Sequence, residues 1–324
     1  MHQIHIAPMM GYTHRHFRYL MRRLCPEVLL YSEMVTTGAL LHGDAKRHLD
    51  FDATEAPVVL QLGGHDPQSL ARCARQGQDH GYAQINLNVG CPSSRVQEGG
   101  IGACLFKSPQ LVASCVQAMV DAVTIPVTVK CRIGVDDHDT FEHLYNFCET
   151  MQRAGCRFVV VHARKAWLGG LNPKQNRTVP PLRYDVVEHL ATKISLPVVL
   201  NGGIQCHEAI DQHLQLFPAV MIGRWACSDP IGFSQRFHQH PSRLPAATIL
   251  DDYFAYVDRS LSRGERLSFL LQPLQALFHG QPGARSWRKS LNALTHQANE
   301  SSGLSLNSFV EMTKRLPVDQ FIQG

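Results

Sequence analysis

Eight short runs rich in β-branched residues recur along the chain, and each is followed by a longer stretch of helical character. They are HIAPM (5–9), VLLYSEM (28–34), PVVLQLG (57–63), QINLNVG (84–90), PVTVKCR (126–132), RFVVVHAR (157–164), PVVLNGG (197–203) and AVMIGR (219–224). Segments between them, such as PQSLARCARQGQDHG and PQLVASCVQAMVDAV, space their apolar residues near 3.6 and supply the crossover helices that parallel strands need. Eight βα units over about 240 residues predict an α/β fold of the TIM (β/α)8 barrel type. A doubly wound open sheet is the alternative, but no GxGxxG follows the first run and polar residues sit at nearly every strand's end.

After residue 240 the strand-like runs stop, and YFAYVDRSLSRG and SWRKSLNALTHQANE read as amphipathic helices. The expected organisation is a barrel over 1–240, a linker at HQHPSRLPAAT, and a small C-terminal all-helical domain over 241–324. In that tail Arg285 and Arg288 lie three apart, which puts them on one helix face beside Trp287. A solvated face is the plainer explanation of that cluster.

The chain is 44% hydrophobic and 18% charged, and it contains no apolar run of the roughly 20 residues that span a bilayer. No membrane association is expected. Its first residues, MHQIHIAPMM, lack the regions of a signal peptide, so a cytoplasmic protein is expected, with its ten cysteines as reduced thiols. Neither a CxxC pair nor a tight Cys/His cluster is present, and no metal is expected. The net charge of +4 is too small to identify a nucleic-acid partner by itself.

In a barrel of this kind, catalytic groups come from the carboxyl ends of the strands. Alternation puts Asn86 with Asn88, Lys130 with Arg132, and His162 with Arg164 on shared strand faces, so six polar side chains are positioned to meet at one mouth. The seventh and eighth exits are Asn201-Gly202-Gly203 and Gly223-Arg224. Glycines let backbone N–H groups approach an anion there, where this fold commonly binds phosphate. Pro8, Met9 and Met10 add backbone and soft apolar surface, Gln61 an amide, and Lys130 a cation. A flat heterocycle with amide-like edges and a terminal phosphate would use all of these, and flavin mononucleotide (FMN) has that shape.

Cys91 follows the fourth run, in NVGCPSS. A thiol with a reference pKa near 8.5 stays mostly protonated at neutral pH and can give a proton to carbon when an activated double bond is reduced. A nucleophile and an inert buried cysteine are the alternatives that the local sequence leaves open.

These residues lie in longer stretches: APMMGYT (7–13), YSEMVTTGAL (31–40), QLGG (61–64), INLNVGCPSSRVQEGGIGACL (85–105), VKCRIG (129–134), VVHARKAWLGGLNPKQNR (160–177), LNGGI (200–204) and MIGR (221–224). Together they resemble the bacterial tRNA-dihydrouridine synthase family along nearly the whole chain. The 160–177 segment and PGARSWRK (282–289) further resemble its A-type branch, which acts on positions 20 and 20a of the tRNA D-loop. One departure stands out, since His14 follows Thr13 where family members often carry Asp, and this touches helix capping rather than chemistry.

The resemblance implies a monomeric FMN enzyme that uses NADPH to reduce the C5=C6 bond of uridine in tRNA. Hydride passes from flavin N5 to C6, and Cys91 protonates C5. It implies FMN contacts from Pro8, Met9, Met10, Gln61, Lys130, His162, Asn201, Gly202, Gly203, Gly223 and Arg224. Asn88 is implied as a contact to tRNA or its uracil, and Lys174, Arg177, Arg285 and Arg288 as tRNA contacts. Two rivals remain at this stage: a flavin barrel acting on a free pyrimidine, similar to dihydroorotate dehydrogenases, and a non-catalytic RNA-binding barrel.

Overall fold

The computed structural model describes residues 3–237 and 246–300. They fall into two compact units. One holds residues 3–13 and 28–223, and the other residues 14–27 together with the described residues from 224 onward. The boundary expected at 240/241 and most of the proposed linker lie outside the described residues.

In the first unit the eight runs form eight parallel strands: β1 (Ile4–Ile6), β2 (Leu30–Thr36), β3 (Val58–Gly63), β4 (Gln84–Val89), β5 (Val127–Arg132), β6 (Val159–His162), β7 (Val198–Asn201) and β8 (Ala219–Ile222). The sheet runs β1-β8-β7-β6-β5-β4-β3-β2, and a parallel bridge between His5 and Leu29 joins its two ends into a barrel. Ile6 N–H donates to Leu29 O and Leu29 N–H to Ile4 O, both at 2.9 Å, so neither edge strand is left open there.

The floor of the barrel is apolar. Ala7, Leu29, Tyr31, Val59, Phe158, Val160, Val199, Ala219 and Met221 form one buried cluster, with Met9 packed against it. Leu29 with Tyr31, Phe158 with Val160, and Ala219 with Met221 are spaced two apart, the inward alternation that a layered barrel core requires. His5 is fully buried at this level, its Nδ1 3.2 Å from the Tyr31 hydroxyl, and burial holds that phenol well above its ordinary pKa. Because the lower interior is filled with side chains, inward positions nearer the carboxyl ends are the ones left to carry polar groups.

Helices Pro67–Asp79, Pro109–Ala122 and Phe141–Arg153 flank the strands. Asp66 and Thr140 cap the first and third through hydrogen bonds to Ser69 N and His143 N, and proline opens the first two.

The second unit contains the helix Arg15–Leu24, the first to follow β1, with Ala246–Leu261, Leu267–Leu271 and Ala284–Glu300. Tyr19 stacks on Tyr256 at 4.0 Å between ring centroids, and Arg23 makes a two-pronged ion pair with Asp252 at 2.7 and 3.0 Å. His14 is the N-cap of Arg15–Leu24 and makes no side-chain cap bond, so the departure from Thr-Asp leaves that helix start uncapped. Trp287 is fully buried and donates from Nε1 to Leu274 O at 2.7 Å, which anchors Ala284–Glu300. Among the described residues no helix is long and apolar enough to cross a membrane.

Candidate active site

Above the apolar floor, side chains from three neighbouring strands form a hydrogen-bonded line that ends at Cys91. Asn86 Nδ2 donates to Thr128 Oγ1 (2.9 Å), Gln61 Nε2 to Asn86 Oδ1 (2.8 Å), and Asn88 Nδ2 to Gln61 Oε1 (2.8 Å). Asn88 Oδ1 then accepts from the backbone N–H of Gly90 (3.1 Å) and of Cys91 (3.0 Å). The cross-strand register makes this line: Gln61 lies opposite Asn86, and Asn88 opposite Lys130. A buried polar chain is favourable only when its members are satisfied, and these amides are oriented by one another.

Cys91 is held from its other side as well. Its carbonyl accepts from Ala103 N at 2.9 Å, and the neighbouring Gly102 has φ +79°, with a Cβ there falling 2.6 Å from the Cys91 carbonyl oxygen. The glycine-rich stretch after NVGCPS is therefore needed to let the chain pack against the thiol-bearing turn. The cysteine itself is half-buried.

Lys130 sits half-buried on β5, and its ammonium donates to Asn201 Oδ1 at 3.0 Å, while Asn201 Nδ2 donates to Met221 O at 2.7 Å. Burial, reinforced by the charge of Arg132, lowers the Lys130 pKa to about 8. Arg132 lies deeper. It donates from Nε to Gly90 O (3.0 Å) and from Nη1 to Lys165 O (3.1 Å) and Asn176 O (2.9 Å), and burial lowers its pKa to about 10.

His162 pairs across the sheet with Arg132 on one side and Asn201 on the other. Its ring lies over Gly202, where a Cβ would come within 2.5 Å of His162 Cδ2. Gly202 (φ +116°) and Gly203 (φ +74°) both take left-handed backbone, and the Gly202 carbonyl is fixed by the Tyr184 hydroxyl at 2.7 Å. Gly223 lies against the first exit, with Met9 Sδ 3.4 Å from where its Cβ would be. At that exit Thr13 Oγ1 accepts from Met9 N (2.9 Å), Pro8 and Met9 are half-buried, and Met10 is 63% exposed.

The structure thus brings together Gln61, Asn88, Cys91, Lys130, His162, Asn201, Gly202, Gly203, Gly223, Pro8 and Met9 at the carboxyl end of one barrel. Lys174 and Arg177 lie in the loop after β6, Lys174 exposed and Arg177 half-buried at the end of the turn Gln175–Arg177. Arg224, Arg285 and Arg288 belong to the second unit, and all three are exposed. Sequence reasoning gave no role to Thr128, Asn176 or Tyr184. Asn176, fully buried inside PKQNR, brackets Trp167 by accepting from its N–H (2.8 Å) and donating to its carbonyl (2.9 Å).

The dihydrouridine synthase (Dus) family model matches residues 5–314, nearly the whole chain. This chain belongs to the dihydrouridine synthase family. Among relatives in that family, a tRNA-dihydrouridine(20/20a) synthase of Synechocystis sp. is 52% identical over 295 residues, covering 90% of this chain and 88% of its own. Enzymes of the same name from Xanthomonas campestris pv. campestris and Escherichia coli K12 are 48% and 46% identical over 299 residues. The first covers 91% of this chain and 89% of its own length, the second 90% and 86%.

An FMN-sized group suits the residues that this dihydrouridine synthase presents. Lys130 is a partly desolvated cation whose protein acceptor is a neutral amide, so an electron-rich ligand edge would relieve its burial. Gly202 and Gly203 take backbone with positive φ packed against His162, Leu182 and Tyr184, where no side chain larger than glycine's fits, and their exit loop can present main-chain N–H groups to an anion.

Proposed function

We propose that this chain is a tRNA-dihydrouridine synthase that reduces the C5=C6 bond of uridines 20 and 20a in the tRNA D-loop, with FMN as its cofactor and NADPH as its reductant. The observation that carries this is the Cys91 turn at the end of β4, held by Asn88, with Lys130 and His162 on the next two strands of the same barrel mouth, in a chain whose relatives bear that enzyme name. FMN, when bound, supplies the hydride that adds to C6.

The chain's own groups do the rest. Pro8, Met9, Met10, Gln61, Lys130 and His162 would hold the flavin, and Asn201, Gly202, Gly203, Gly223 and Arg224 would offer main-chain N–H groups and charge to its phosphate. Lys130 contributes positive charge where electron density builds on reduction. Cys91 gives its thiol proton to C5 as the C5=C6 pair opens, and solvent reprotonates the thiolate. Asn88, with one amide hydrogen left after its bond to Gln61, reaches the same base. A uracil stacked in folded RNA has to be flipped out at a cost of a few kcal/mol, offset by backbone contacts from Lys174, Arg177, Arg285 and Arg288.

The test is to load the purified protein with FMN, add NADPH and unmodified tRNA, and map dihydrouridine by its mass gain. Reduction at 20 and 20a, with free uridine and uracil untouched, is expected. Reduction of the free pyrimidine instead, or no flavin uptake, would select one of the rivals.

A further inference from the structure

Arg132 is 3% exposed, and its guanidinium meets no carboxylate among the described residues. All three of its hydrogen bonds go to backbone carbonyls: Gly90 O, Lys165 O and Asn176 O. A buried charge is a poor source of stability, because desolvation consumes most of what its bonds return, and an apolar side chain of equal size is often as stabilising. What arginine does provide is a planar fork that fixes several acceptors at set distances.

The acceptors are not scattered. Gly90 O belongs to the same peptide unit as Cys91 N–H, which Asn88 Oδ1 holds at 3.0 Å. Both polar groups of the Gly90–Cys91 peptide are therefore gripped, the carbonyl by Arg132 Nε and the N–H by Asn88. Lys165 O and Asn176 O belong to the loop after β6. Asn176 in turn fixes Trp167 and donates to Leu171 O, which sets the path of the chain toward Lys174 and Arg177.

We propose that Arg132 is a positioning residue that locks the Gly90–Cys91 peptide to the β6 loop, so that seating RNA on that loop and aiming the Cys91 thiol are one mechanical event. This rests on Cys91 as the proton donor and the β6 loop as an RNA contact. RNA seated on a displaced β6 loop would pull Lys165 O and Asn176 O, the fork would follow, and the thiol would move with Gly90.

The test compares wild type with Arg132→Met and Arg132→Lys, with and without FMN. Backbone hydrogen exchange is measured in peptides covering 85–95 and 160–178, with 197–222 as control, alongside flavin reduction by NADPH and reoxidation of pre-reduced flavin by saturating tRNA. Exchange is expected to rise together in the first two segments and not in the control. Reoxidation slows about 10²-fold, as for a reacting group displaced by about 1 Å, while NADPH reduction stays within about twofold. Arg132→Lys shows the same loss, because an ammonium cannot reproduce the fork.

Exchange rising in only one of the two segments, unchanged reoxidation, or equal slowing of both half-reactions would overturn the proposal. If Arg132→Met does not fold, Asn176→Ala loosens the other end of the clamp, and the same paired rise in exchange decides. If wild type leaves tRNA unreduced, the functional assignment fails while the exchange measurements still judge the clamp.

Discussion

The carboxamide oxygen of Asn88 lies 3.0 Å from the backbone nitrogen of Cys91. Asn88 therefore fixes the backbone that carries the thiol. Asn88→Ala removes this acceptor and the link to Gln61, and uridine reduction is expected to fall about 10²-fold with flavin retained. Asn88→Asp keeps the acceptor and should recover part of the loss. Single-turnover reoxidation by tRNA, measured beside flavin content, checks both.

Lys130 gives the site a pH limit. Its pKa is lowered to about 8, so the ammonium is present below that pH and is lost as pH rises through it. FMN affinity and flavin reduction that depend on this charge should decline above about pH 8 in wild type. In Lys130→Met both should be weaker and the alkaline decline absent. Flavin titrations of the apoprotein from pH 6 to 9.5 read this directly.

The second unit should be acid-labile. His14 and His16 are buried, and burial holds their pKa values at about 4 and about 3, against an ordinary 6.5. Between those values and 6.5 the unfolded chain binds more protons than the folded one, so stability rises with pH there and is lost as pH falls. A shift from 6.5 to about 4 corresponds to roughly 3 kcal/mol for His14, and the two rings, 5.4 Å apart, share rather than add their effects. Thermal melts from pH 7.5 to 4.5 should show this slope, and His16→Gln should flatten it.

Arg285 and Arg288 are exposed around the buried Trp287, so they hold the helix Ala284–Glu300 no tighter. Their joint replacement by alanine should leave stability within roughly 0.5 kcal/mol. Affinity for tRNA should drop, and the salt dependence of binding should shallow by roughly one unit per lost phosphate contact. Binding isotherms at several salt concentrations, with melting curves, separate the two effects.

The barrel was legible because each strand is a short β-branched run with inward residues at every second position, and a polar residue at its end shows against that background. Lys130, His162 and Asn201 were visible this way. The membership of Arg15–Leu24 in the second unit was not, since an amphipathic helix does not name the surface that it will cover. Arg132 was visible at the mouth but its bonds were not, because its partners are main-chain carbonyls, which residue type does not encode. Asn176 was hidden for the same reason inside a loop that reads as charged and polar.

The most direct measurement is anaerobic single-turnover mixing of NADPH-reduced, FMN-loaded protein with unmodified tRNA, for wild type and Cys91→Ala. Wild type should reoxidise as dihydrouridine appears at 20 and 20a. Cys91→Ala should bind flavin and take electrons from NADPH normally, yet form dihydrouridine about 10²- to 10⁴-fold more slowly. Dihydrouridine formed by Cys91→Ala at the wild-type rate, or none formed by wild type, would contradict the account.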